Sequence, residues 1–176
     1  MKKILSIFLF LIISFGLVSC KSGEDLKAKT DKEVINNSDI DKKENIDERV
    51  TYNVDWEKCI HDTKAEFTNS EQYSYLKDIY IEVSGDKITF TAVLADSTDG
   101  KLALDLADSI IRRFNANAQL QDSSVKSSGK DYLGGLYDNY TISIGIAPLS
   151  EVKNQSKWYI YDAIEKKVHR EPKLQK

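Results

Sequence analysis

Cys59, His61 and Asp62 form the densest group of reactive side-chain types in the chain, and a thiolate activated by a histidine is one way to build a nucleophile. Helical spacing works against that chemistry. Residues two apart on a helix point about 200° apart, so Cys59 and His61 diverge, while Cys59 shares an apolar stripe with Trp56 and Ile60. The cysteine reads as a buried structural thiol. The second histidine, His169, stands in the basic run Lys166-Lys167-Val168-His169-Arg170. Without CxxC or HExxH spacing, these residues support neither a metal site nor a cofactor. Asp96 and Asp99 lack the spaced oxygen ligands of a calcium loop and read as caps of the helix that follows. Gly134-Gly135 precedes a strand instead of a helix, so it is no phosphate cradle.

What remains is aromatic. Tyr132, Tyr137 and Tyr140 flank the glycine pair, and Trp158-Tyr159-Ile160-Tyr161 forms a second cluster. Tyrosine offers a large contact area at little rotamer entropy, so Tyr132, Tyr137, Tyr140, Tyr159 and Tyr161 are the candidate contacts for an envelope protein, a peptide or a glycan. The competing reading is that most of these rings complete a small core. In the second cluster, period two sets Trp158 and Ile160 on one side and Tyr159 and Tyr161 on the other.

The elements that must position these groups follow from periodicity. Trp56, Cys59, Ile60, Thr63 and Phe67 recur at helical spacing, with Asp55 as N-cap, which predicts a helix over 55–68. Ile79, Ile81 and Val83 alternate, Gly85-Asp86 has hairpin chemistry, and 87–95 alternates again, which predicts two paired strands. Leu102, Ala103, Leu106, Ala107, Ile110, Phe114 and Ala118 trace one face of a second helix over 101–120. Polar residues 121–131 read as a loop. Residues 137–146 and 157–163 read as two further strands, the first stopped by Pro148. The order helix, hairpin, helix, hairpin predicts an α+β fold: a four-stranded, mainly antiparallel sheet with two helices packed on one face.

The chain has 176 residues, 41% of them hydrophobic and 10% aromatic, with 25 Lys+Arg against 28 Asp+Glu. That allows one folded domain and excludes a large multidomain enzyme. All nine tyrosines and both tryptophans lie beyond residue 50, so the domain is placed at 50–176. Residues 21–49 hold no aromatic residue and dense mixed charge, too little apolar surface to offset ordering entropy. They read as a disordered tether with an end-to-end distance of about 30 Å.

The first residues, MKKILSIFLFLIISFGLVSC, carry Lys2 and Lys3 before a fifteen-residue run, Ile4 to Val18. The run is short for a membrane span and has the layout of a secretion signal. Its end, Leu17-Val18-Ser19-Cys20, resembles the lipobox of bacterial lipoproteins. The resemblance implies that 1–19 is removed, that Cys20 receives a diacylglyceryl group and becomes the first residue, and that the protein is anchored on the extracytoplasmic face of a membrane. A Gram-positive surface is favoured by the Lys-, Ile- and Asn-rich composition; an outer-membrane lipoprotein is the alternative. Loss of Lys2 and Lys3 takes the formal net charge from −3 to −5, which disfavours nucleic acid as a partner. The expected function is a lipid-anchored, non-catalytic binding domain. A small envelope hydrolase or thiol protein, and a structural spacer without ligand, are the rivals.

Overall fold

The computed structural model describes residues 51–175; the leader, Cys20 and the charged segment lie outside them. Helix α1 spans Trp56–Thr68, strands β1 and β2 span Leu76–Ser84 and Lys87–Leu94, helix α2 spans Gly100–Gln121, and strands β3 and β4 span Thr141–Pro148 and Ile160–Ile164. Both helices begin on an aspartate: Asp55 Oδ1 accepts the Lys58 amide at 3.0 Å and Asp99 Oδ1 accepts the Leu102 amide at 2.8 Å. Each such cap contributes about 1 kcal/mol by satisfying an otherwise orphaned donor.

The fold is α+β, with the sheet order β1-β2-β3-β4. The outer pairs β1/β2 and β3/β4 are antiparallel, whereas the central pair β2/β3 is parallel. Mainly antiparallel is therefore right, but the sheet is mixed. The parallel pairing follows from α2, which returns the chain to the starting end of β2 before β3 begins beside it. Thr141 accordingly stands opposite Lys87, and its amide bonds Asp86 O at 2.8 Å.

Registration puts Ile79, Ala92, Ile146 and Ile160 in one row and Val83, Ile88, Ile142 and Ile164 in another, all on one face. This face is apolar, and α2 lies against it: the rings of Phe90 and Phe114 meet edge-on at 5.4 Å. Trp56 of α1 stacks at 6.2 Å on the same Phe114. A buried polar chain joins the helices, with Asn117 Nδ2 donating to Thr63 Oγ1 at 3.0 Å and Thr63 Oγ1 donating to Cys59 O at 2.8 Å. Among these buried groups each finds a partner, so the desolvation cost of the cluster is offset.

Two segments depart from the expected boundaries. β3 starts at Thr141, not 137, because Gly135–Asp138 forms a 3-10 turn whose Leu136 and Tyr137 side chains are buried. The stretch read as a polar loop also contributes to the core through Val125. β4 starts at Ile160, not 157, because Gln155–Lys157 is another 3-10 turn.

The C-terminal residues run along the outer edge of β4. Leu174 bridges Ile160, and the Gln175 amide bonds Tyr159 O at 2.8 Å. Arg170 fastens this segment by a two-pronged contact to Asp162, at 2.6 and 2.9 Å. Burial alone would lift the Asp162 carboxyl, but the Arg170 guanidinium and the Lys173 amide outweigh it and hold the group below the usual carboxylate range. A carboxyl with a lowered folded-state value contributes stability above its unfolded value and loses it as pH falls through the folded one. Protection of the Gln175 amide from exchange should therefore weaken as pH drops below about 4. Asp162→Asn should weaken it already at neutral pH and flatten the acid response; an unchanged protection profile in that variant would contradict the contact's role.

Candidate functional site

Cys59 is fully buried, and its Sγ faces Phe114 O at 3.6 Å. Burial pushes the thiol up to about 12. At neutral pH it stays protonated inside the core, and it is not a nucleophile. His61 projects from the exposed side of α1, where it contacts Asp62 at 3.1 Å. The structure thus keeps Cys59 and His61 apart. Asp96, the other acidic candidate, accepts the Ser150 amide at 2.9 Å and ties two loops together.

His169 is brought to the Tyr132 cluster. Its Nδ1 accepts the Leu133 amide at 3.2 Å, which leaves the ring proton on Nε2, 3.0 Å from Asp138 Oδ1. Tyr132 packs tilted against the imidazole, ring centres 4.2 Å apart, and donates its hydroxyl to Asp138 Oδ2 at 2.6 Å. Burial and this hydrogen bond to a carboxylate both raise the Tyr132 phenol above its ordinary value. Tyr132, Asp138 and His169 thus saturate one another, and the group joins the 126–138 segment to the C-terminal one. A cleft of about 280 Å³ borders it. Its two arginines are engaged: Arg112 on Asp108 and the Gly129 and Tyr132 carbonyls, Arg170 on Asp162.

The other aromatic candidates are dispersed. Tyr137 is 1% exposed and donates its hydroxyl to Ile111 O at 2.6 Å, so it is a core residue and is removed from the contact set. Tyr140 packs edge-on against Trp56 at 5.5 Å. Tyr159 is partly buried and donates to Thr98 O at 2.7 Å. Tyr161 alone of the five is a mainly exposed ring, at 58%.

Tyr161 lies on the sheet face opposite the core, and its partner there is Trp158, met edge-on at 6.0 Å. The expected pairing of Tyr159 with Tyr161 is corrected: period two does not extend upstream of Ile160, where regular strand begins. Trp158 spreads across Gly145 so closely that a Cβ at that glycine would stand 2.6 Å from the indole. Its Nε1 reaches the Glu151 and Val152 carbonyls, at 3.2 and 3.3 Å. One register row runs Tyr80, Thr91, Gly145, Tyr161 across all four strands. At about 4.8 Å between strands, the two tyrosines stand about 14 Å apart. Tyr80 is exposed and was legible only as the polar phase of β1's alternation.

Comparison with family models, with curated proteins and with solved structures finds no match to this chain. The aromatic row on the open sheet face is the candidate contact site.

Proposed function

We propose that the protein is a lipid-anchored extracytoplasmic domain with a non-catalytic, binding role in the cell envelope. Cys20 is the lipid site in this reading, residues 22–49 the spacer, and the open sheet face the contact surface. The observation that carries the binding role is Tyr161 standing exposed beside Trp158, over a glycine that makes room for the indole. Both helices are read as one layer on the apolar face, a reading supported by Trp56 and Phe90 meeting the same Phe114 ring. That arrangement frees the other face for a partner. The thiol-protein alternative is disfavoured by the burial of Cys59.

The anchor has a direct test. Cys20→Ala is expected to abolish the acylated amino terminus and shift the protein from the membrane fraction to the soluble or precursor pool, read by mass spectrometry and fractionation. Two acyl chains give stable anchoring at roughly 0.8 kcal/mol per buried methylene. Unchanged retention without acylation would reject the reading.

A further inference from the structure

Charge is segregated along the domain. Residues 149–176 hold seven basic and four acidic residues, whereas 50–148 hold nine basic and fifteen acidic. The fold gathers part of the basic excess around the aromatic pair. Lys153 and Lys157 lie in the loop that leads into Trp158, and Lys173 directly precedes Leu174, which bridges Ile160 of β4 next to Tyr161. All three lysines are exposed, and none enters an ion pair among the described residues. By contrast Asp162, the acidic residue of β4, is already neutralised by Arg170.

The same loop exposes apolar groups. Leu149 is 53% exposed, Val152 is exposed as well, and the Val152 carbonyl is tied to the Trp158 indole. On the far edge of the open face β1 carries Asp78 and Glu82 instead. The face is thus basic, aromatic and apolar on the β4 side and acidic on the β1 side.

We infer that the β4 side, with Trp158 and Tyr161 at its centre, docks on the surface of an anionic lipid bilayer. The inference rests on the proposed binding role and names the partner of that site. Indole and phenol rings settle at headgroup depth, with an apolar body and a polar tip. Leucine and valine add apolar area there, while lysines reach past them to lipid phosphates. Each lysine close to such a surface contributes a roughly fivefold preference for it. An anionic wall polymer would match the lysines but would give Leu149 and Val152 no apolar surroundings, so the bilayer fits the whole patch. The acidic β1 edge is repelled by the same surface, which fixes which side faces it. An acyl anchor would hold the domain at high effective concentration near the bilayer, so weak docking suffices.

The test uses the full chain with vesicles of phosphatidylcholine alone or mixed with phosphatidylglycerol, some of the lipids carrying brominated acyl chains. Tryptophan emission should be quenched in the anionic vesicles, much less in the neutral ones, and released by high salt. Trp158→Phe should remove the quenched component and leave Trp56. Lys153→Gln, Lys157→Gln and Lys173→Gln together should lower the docking equilibrium about a hundredfold without changing the fold. Equal quenching in both vesicle types, or no loss in the triple variant, overturns the inference. Binding to soluble polyphosphate with no lipid quenching overturns it in favour of a polymer. The anchor is scored separately by mass spectrometry of the amino terminus: quenching without an acylated Cys20 upholds the docking face and removes only the anchor.

Discussion

Replacing Gly134 by alanine is expected to cost the domain about 3 kcal/mol, a large part of the stability of a domain this size. The backbone there has φ +129°, a conformation that side-chain-bearing residues rarely adopt. A Cβ would also fall inside the Asn115 amide, far within van der Waals contact. Asn115 is fully buried and holds the segment from both sides, its Nδ2 donating to Lys126 O at 3.0 Å and its Oδ1 accepting the Leu136 amide at 3.1 Å. Alanine at Gly134 therefore strains the backbone and breaks both hydrogen bonds together. Urea unfolding should show the midpoint fall. Because both substitutions remove the same bonds, Asn115→Ala added to Gly134→Ala should cost clearly less than the sum of the two separate losses. Full additivity would show that the glycine and the asparagine act separately.

The second large effect separates tyrosines that look alike in sequence. Tyr137→Ala should destabilise by about 4 kcal/mol, since it empties a ring-sized volume in the core and removes the hydroxyl's hydrogen bond to the Ile111 carbonyl. Tyr161→Ala should change stability by less than about 0.5 kcal/mol, while reducing capture of the domain by its surface. Similar losses of stability in the two variants would mean that Tyr161 is a packing residue and would remove the contact site.

These two rings show where the sequence was readable and where it was not. The stripe from Leu102 to Ala118 and the alternation from Ile79 to Val83 repeat often enough that only one orientation buries them, and both elements stand as expected. The hairpin between them is marked by Gly85, whose φ of +60° is the one glycine accepts without strain. Tyr137 shares parity with neither the strand nor the turn in any way a period can reveal. Its burial is set by Gly134, which throws the chain into a 3-10 turn beneath α2. Trp158 likewise takes its side from the loop carbonyls that hold its indole, since the register fixed by Ile146 opposite Ile160 begins only after it. Asn115 reads as one more polar residue at the rim of a helical stripe, because its partners come from a segment with no pattern of its own. Tyr80, Lys153 and Lys157 gain meaning only when four strands and a loop place them on a common surface.

The parallel contact between β2 and β3 sets the timing of folding. Lys87 must wait for Thr141, over fifty residues later, before the middle of the sheet can zip, and the outer edge of β4 is covered by Leu174. Closure of so long an intervening segment is slow compared with forming a helix or hairpin. The β1/β2 hairpin and α2 can therefore form first as local units, and the two halves of the sheet become one only when Thr141 has come back beside Lys87.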